Sequence, residues 1–169
     1  LLWLLFPVIK ALHEFGHAVH NNLSRTRLAS QGGTNVLRDF VEAPSQMLED
    51  WVYERNVLDL MREVCAACPP IPDALLAQAK AAKRFGLGTR YARQALYASF
   101  DLGMHGAGAP EPMPLWARME GATPLGHVAG TMFPAGFAHA ASGYAAGYYG
   151  YLWSEVVAAD LRTAFAGRR

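Results

Sequence analysis

Apolar and polar residues alternate at helical spacing along most of the chain, and this pattern predicts an all-α fold. The predicted helices cover about 4–22, 39–67, 73–85, 89–104, 115–119 and 144–165. Prolines and glycines separate them, and the run Pro69, Pro70 and Pro72 ends the second helix firmly. The pattern shows no internal repeat and no interdomain linker, so we expect one domain over residues 1–169.

Two stretches lack the helical pattern. Residues 23–36 are rich in serine and threonine around Gly32-Gly33, and this loop is long enough to hold one short β-hairpin. Residues 121–143 are rich in glycine and proline, so we expect irregular backbone there.

Composition narrows the function classes. The chain is 52% hydrophobic and 17% charged with a net charge of +1, which suits a packed globular protein. No basic run or stripe is present, so nothing favours nucleic acid as a partner. The apolar run over residues 1–12 is interrupted by Pro7 and is too short to span a bilayer. We interpret it as the buried start of the first helix, and expect a cytoplasmic protein without a membrane partner.

The two cysteines form a lone C-x-x-C pair, Cys65 and Cys68. One such pair is half a zinc site, and the strand-to-helix context of a redox motif is missing. The interpretation is two free thiols in a reducing compartment.

The strongest chemical signal is the H-E-x-x-H motif at positions 13–17. Four residues make about one helical turn, so His13 and His17 share a face and can converge on one zinc ion. Glu14 is then placed to accept a proton from a water molecule on the metal. The neighbouring residues are apolar or small, which predicts a helix buried on most sides, where two idle histidines would be costly. His20 is interpreted as a supporting or core histidine.

A catalytic zinc ion usually takes three protein ligands and keeps one position open. Glu42 is the candidate for the third ligand, although Asp39-x-x-Glu42 is also a possible capping box. Polar side chains continue along the predicted helix at Glu42, Gln46, Glu49 and Tyr53. Such a stripe suits a ligand that is supported by hydrogen-bonding partners.

Three tyrosines near the C-terminal end, Tyr144, Tyr148 and Tyr151, are spaced to share one face of a helix. A stripe of this kind can simply face the core. However, the glycines among them indicate a hinge or a close backbone approach, and buried tyrosine hydroxyls need partners. Together with His139, the tyrosines can donate to the oxyanion that forms when water attacks a peptide carbonyl.

The chain resembles the thimet oligopeptidase, neurolysin and oligopeptidase A family of zinc metallopeptidases at four segments: H-E-F-G-H at 13–17, G-T at 33–34, D-F-V-E-A-P-S-Q-M-L-E at 39–49, and H-A-A-S-G-Y-A-A-G-Y-Y-G-Y-L-W-S-E at 139–155. The resemblance implies a helical, zincin-type catalytic core that hydrolyses internal bonds of oligopeptides. Because family members are longer and two-lobed, we expect residues 1–169 to be a fragment of such an enzyme.

The resemblance also implies a role for individual residues. One zinc ion per chain is implied to bind His13, His17 and Glu42, with Glu14 as general base towards the attacking water. The residues implied to support these ligands are Asp39, Gln46 and Glu49. The implied catalytic donors are His139, Tyr148 and Tyr151, and the groups implied to bind the peptide are Tyr144 and Gly143.

Two other interpretations stay open. The chain can be a zinc-binding fragment that lacks the opposing lobe and is inactive or weakly active. It can also be a helical interaction module in which the H-E-x-x-H motif is incidental. A measurement of metal content separates the interaction module from the two zinc-binding interpretations, because an interaction module binds no zinc.

Overall fold

The regular structure is helical throughout residues 2–65 and 67–166, which the computed structural model describes, and this confirms the predicted fold class. The α-helices are α1 (Leu2–Asn22), α2 (Arg38–Val41), α3 (Ala43–Glu49), α4 (Arg55–Val64), α5 (Asp73–Arg84), α6 (Leu87–Met104), α7 (Pro112–Gly121), α8 (Phe133–Gly136) and α9 (Gly150–Thr163). Short 3₁₀ segments are formed by Ala29–Gln31, Asp50–Tyr53 and Ala138–Ala141.

The suggested β-hairpin at residues 23–36 is wrong. The backbone there closes successive turns, in which Gln31 N donates to Leu28 O at 3.0 Å and Asn35 N donates to Gly32 O at 3.1 Å. Gly33 has a left-handed φ of +55°, and a Cβ there would lie 2.7 Å from the Cα of Asn21. These local bonds fold the loop back onto the end of α1, so no cross-strand ladder forms.

The second predicted helix is not continuous. It breaks at Glu42, between α2 and α3, and again after the 3₁₀ segment Asp50–Tyr53, where Glu54 is extended with φ −96° and ψ 129°. Pro44 accounts for the first break, because it cannot donate to the carbonyl of Phe40. Glu42 therefore lies at a bend, and the predicted polar stripe is bent with it.

The last helix begins at Gly150 rather than at Tyr144. Residues 142–149, here called the tyrosine loop, form turns, and Ala146 has a left-handed φ of 56°. Gly150 lies directly against α2, since a Cβ there would come within 2.8 Å of the carbonyl carbon of Arg38. The three tyrosines therefore do not share one helical stripe.

Helices α1, α2, α3 and α9 pack together although they come from opposite ends of the chain. The amide of Gln46 donates to Tyr151 O at 3.0 Å, and the hydroxyl of Ser154 donates to Asp39 O at 2.9 Å. These bonds tie α2 and α3 to α9 across more than 100 residues of sequence.

Helix α1 is buried on one side and not on most sides as predicted. One face packs against α3, whereas Phe6 and Phe15 are 66% and 59% exposed. These two apolar side chains are therefore mostly uncovered by the rest of the described chain. No helix in residues 2–65 and 67–166 combines the length and apolar character that a bilayer span requires.

A second core lies between α6, α7 and α8. Its buried residues are Phe100, Leu115, Trp116 and Phe137. The ring of Phe133 stacks on Trp116 with centroids 4.1 Å apart, and Phe137 contacts Tyr148 at 5.1 Å. This aromatic cluster supports the backbone that leads into the tyrosine loop.

The two cysteines are joined in a disulfide, so the prediction of free thiols is wrong. Helix α4 ends at Val64, and the following turn lets Cys68 N donate to Cys65 O at 2.9 Å. This turn brings the two side chains together just before the proline run.

Candidate metal centre

His13 and His17 project from the same face of α1, one turn apart, with ring centroids separated by 5.0 Å. Both side chains are 22% exposed at the surface that faces α3. The Nε2 atoms of both rings point to one oxygen atom, Oε2 of Glu42, at 3.3 Å from His13 and 3.1 Å from His17.

Glu42 is 3% exposed, and although it stands at the N-cap position of α3, its side chain makes no capping hydrogen bond. Its Oε2 also accepts from the hydroxyl of Ser45 at 3.1 Å, and its Oε1 accepts from the hydroxyl of Tyr144. The bend at Glu42 thus turns the carboxylate into the space between α1 and the tyrosine loop. A buried carboxylate requires such compensation, because an unpaired charge away from water is costly.

The donor atoms of His13, His17 and Glu42 all lie within 4.8 Å of one another. Two ligand atoms held tetrahedrally at about 2.0–2.1 Å from a zinc ion are separated by about 3.3–3.4 Å. The separations to the carboxylate oxygen, 3.3 and 3.1 Å, are close to this value. Two imidazoles and one carboxylate are also a usual ligand set for catalytic zinc, so the residues fit the ion.

The charges of this cluster depend on one another. Hydrogen bonds with Glu42 and Glu49 raise the pKa of His13 to about 9. Burial raises the pKa of Glu42, but hydrogen bonds from His13 and Tyr144 outweigh it and hold the value at about 2. Without metal, the buried carboxylate is therefore ionised at neutral pH and is compensated by a protonated His13. A metal ion held by His13 would have to displace that proton, because a ligating imidazole is neutral.

The other polar residues singled out in the motif segments, Asp39, Gln46, Glu49 and Glu14, differ in their contacts. Glu49 Oε1 lies 2.7 Å from His13 Nδ1 and fixes the ring orientation. Gln46 binds the backbone of α9 instead of a ligand. The carboxylate of Asp39 makes no hydrogen bond within the described residues, and Glu14 is exposed on α1 beside His13. Of the predicted supports, only Glu49 contacts a histidine.

Gly16 allows α1 to approach α3 closely. It is buried, and a Cβ at this position would lie 2.8 Å from Ser45 N and 2.9 Å from Pro44 O. Both neighbours are backbone atoms, which cannot move aside as a side chain can. The glycine in the motif therefore sets the distance between the two histidines and Glu42.

The tyrosine loop and the residues on either side of it bring four aromatic side chains together beside Glu42. The ring of Tyr144 stacks on that of Tyr151 with centroids 5.4 Å apart. The ring of His139 lies 5.1 Å from Tyr148 and 5.7 Å from Tyr151, and its Nε2 is 3.4 Å from the Tyr151 hydroxyl. Burial raises the pKa of all three tyrosines, so they stay protonated and able to donate.

Each of the three tyrosine hydroxyls has a partner within the described residues. Tyr148 donates to Gln94 Oε1 at 2.9 Å, and Tyr144 donates to Glu42. The Tyr151 hydroxyl faces His139 Nε2 and lies 3.4 Å from it.

Arg38 and Gln94 contact the cluster although the sequence patterns did not single them out. The guanidinium of Arg38 lies 4.4 Å from the centroid of the Tyr144 ring and donates to Gly143 O at 2.8 Å. Arg38 therefore connects α2 to the start of the tyrosine loop. The only sequence signal for a role of Arg38 was its position directly before the D-F-V-E segment. The hydrophobic pattern does not distinguish Arg38 from an ordinary surface arginine.

Comparisons with known proteins agree with the resemblance seen in the motifs. The sequence model of peptidase family M3 matches residues 7–169. Oligopeptidase A of Salmonella typhimurium is 34% identical over 94% of this chain and 24% of its own length. The thimet-like oligopeptidase of Dictyostelium discoideum is 34% identical over 91% of the chain, and saccharolysin of Saccharomyces cerevisiae is 32% identical over 94%. The chain spans about a quarter of the length of these relatives. Since the family model covers nearly all of it, the chain belongs to peptidase family M3.

Proposed function

We propose that the chain forms the zinc-binding catalytic core of an oligopeptidase that hydrolyses internal bonds of short peptides. The observation that carries the proposal is the convergence of His13 Nε2, His17 Nε2 and Glu42 Oε2 at a spacing that suits zinc. The family and the names of the relatives, among them oligopeptidase A and saccharolysin, support the choice of substrate.

His13, His17 and Glu42 hold the ion in this proposal, and Glu49 orients His13 through its Nδ1. Zinc supplies Lewis acidity, which polarises a carbonyl oxygen and acidifies water towards neutral pH. Glu14 is on the same helix as the histidines and is free of other hydrogen bonds within the described residues. It takes the proton of the attacking water and passes it to the leaving amine.

The substrate side of the site is formed by the loop before α9. His139 and Tyr151 donate to the oxygen of the scissile carbonyl as negative charge develops there, an interaction that typically accelerates turnover by ~10²–10³ per donor. Tyr148 joins them when its hydroxyl leaves Gln94, and in the present structure its ring packs against His139. Tyr144 and Gly143 lie beside Glu42 and Arg38, where they border the path of a bound peptide backbone.

Replacement of Glu42 with glutamine tests the metal centre. At a zinc concentration of about 100 times the dissociation constant, zinc stabilises the wild-type fold by about 2.7 kcal/mol. If the variant binds 100-fold more weakly, the same zinc stabilises it by only about 0.4 kcal/mol. The measurement is a pair of thermal melts of the full-length protein, with zinc and with chelator, alongside cleavage of a quenched peptide. Zinc-dependent cleavage is expected for the wild type and is lost in Glu42→Gln.

The control for this experiment is Glu63→Gln, which removes an exposed carboxylate on α4. It is expected to gain as much from zinc as the wild type. The metal-free melting temperature of Glu42→Gln is also expected to fall, because the variant loses one of the two charged partners of His13. An equal gain from zinc in Glu42→Gln and wild type would show that this carboxylate does not bind the ion.

Replacement of Glu49 with glutamine tests the orientation of His13. The bond of 2.7 Å from His13 Nδ1 to Glu49 Oε1 leaves Nε2 facing the metal site. Loss of such a partner typically lowers metal affinity by about 10–100-fold. Competition with a chromogenic chelator measures the change in the dissociation constant. Unchanged affinity would mean that packing alone orients the ring.

A further inference from the structure

Asp101 is a carboxylate that the proposed chemistry does not use, and it is 0% exposed. It lies on α6 within the apolar stretch Ala98-Ser99-Phe100-Asp101-Leu102, next to the aromatic cluster. No lysine or arginine in the described residues pairs with it. A buried carboxylate that has no lysine or arginine beside it requires hydrogen bonds to both of its oxygens.

The backbone of the tyrosine loop provides those bonds. Oδ1 accepts from Ala146 N at 3.1 Å, and Oδ2 accepts from Tyr148 N at 2.9 Å. Ala146 has a left-handed φ of 56°, a conformation that costs a non-glycine residue free energy. Amide groups exposed by such a bend form a concave site for an anion, and the side chain of Asp101 fills it.

His105, one turn further along α6, contacts the other end of the same region. Its Nδ1 lies 2.8 Å from Asp101 O and 3.3 Å from Asp101 Oδ1, and its Nε2 lies 3.1 Å from Ala140 O. Ala140 follows His139 directly. One turn of α6 therefore holds the backbone at residues 140, 146 and 148, between which Tyr144 also lies.

We propose that Asp101, together with His105, is a positioning residue for the substrate side of the site. It holds residues 140–148 in the turn that directs the rings of His139, Tyr144 and Tyr148 towards Tyr151 and Glu42. The carboxylate is required because a single residue must accept from two amides at once. The expected loss of turnover on mutation of Asp101 rests on the proposed function. The expected loosening of the tyrosine loop does not.

The test uses Asp101→Asn in the full-length protein, a change that keeps the size of the side chain and only one acceptor oxygen. Three quantities are measured: zinc content, hydrogen exchange of peptides covering 142–149 and 10–20, and kcat and KM for a quenched oligopeptide. We expect full zinc content, faster exchange at 142–149 and unchanged exchange at 10–20. We expect kcat to fall by roughly 10–100-fold, the size of effect that a displacement of about 1 Å produces, with little change in KM.

Two further variants make the result decisive. Ala98→Gly loosens the same helix at a buried position that makes no bond to the loop, so it is expected to lower the melting temperature without selective exchange at 142–149. His105→Phe keeps a ring but removes both ring nitrogens and with them the polar contacts to Asp101 and Ala140, and we expect faster exchange at 138–141. If Asp101→Asn does not fold, the His105→Phe variant shows whether these contacts position the loop.

The proposal is overturned if Asp101→Asn leaves hydrogen exchange at residues 142–149 at the wild-type rate. If Asp101→Asn does not fold, the proposal is overturned when His105→Phe leaves exchange at residues 138–141 at the wild-type rate. It is also overturned if exchange rises uniformly in that variant, as in Ala98→Gly. If the wild-type protein binds no zinc or cleaves no peptide, the proposed function fails while the exchange data still decide the role of Asp101.

Discussion

Replacement of Glu14 with glutamine is expected to leave the zinc content unchanged and to lower kcat by roughly 10²–10⁴-fold. The amide has nearly the size of the carboxylate but cannot accept the proton of the attacking water. Glu14 makes no hydrogen bond within the described residues and is exposed, so its replacement removes no structural contact. Elemental analysis and steady-state cleavage of a quenched oligopeptide by the full-length protein are the measurements.

The matched control for Glu14 is Glu111→Gln, at an exposed position before α7. It removes the same charge and is expected to keep wild-type kcat. Loss of zinc from Glu14→Gln would make Glu14 a ligand, and retention of activity would exclude it as the general base.

Replacement of Gly16 with alanine is expected to open the metal centre although the residue binds nothing itself. The added methyl group meets Ser45 N and Pro44 O at under 3 Å, so α1 and α3 have to move apart. Overpacking of this kind typically costs about 1–3 kcal/mol. A shift of about 1 Å between the histidines and Glu42 lowers activity by roughly 10²-fold. Zinc affinity, melting temperature and kcat are expected to fall together.

Gly88→Ala is the control for Gly16→Ala. Gly88 lies in the first turn of α6, and nothing is within 4 Å of the position of an added Cβ. The same methyl group there is expected to leave zinc affinity and kcat unchanged. If Gly16→Ala binds zinc as tightly as the wild type, the contact between α1 and α3 is not what sets the ligand spacing.

Helices with local boundary signals were predicted well from the sequence. Pro72 and Asp73 mark the start of α5, and α6 ends at Met104 as predicted. Two errors have local causes, namely the turns at residues 23–36 and Pro44 in the second helix, whereas the error at the start of the last helix involves distant residues. The bonds from the amides of Ala146 and Tyr148 to Asp101 hold the loop before α9 open, and no pattern in residues 144–165 reveals a partner on α6.

The residues of the candidate site also differ in how far local spacing could predict their positions. The spacing of His13 and His17 is local, so one helical turn predicts their shared face. Spacing alone left Glu42 open between a ligand and a helix cap. The structure shows a buried carboxylate directed at both imidazoles, and this depends on the contact of α1 with α3. A lone acid in an apolar stretch of α6 was the available signal for Asp101, but its partners are 45 and 47 residues away.

The packing of α2 and α3 against α9 has a consequence for the order of events during synthesis. All three proposed zinc ligands have been made once residue 42 leaves the ribosome, but Tyr144, which binds Glu42, follows 102 residues later. At about 5–20 residues per second, this interval lasts roughly 5–20 seconds. A nascent chain in that interval presents the two histidines on α1 before the bend at Glu42 has its partners. We therefore expect stable metal capture to follow the emergence of the C-terminal segment, and a ribosome that stalls before it to expose a chain with little hold on zinc.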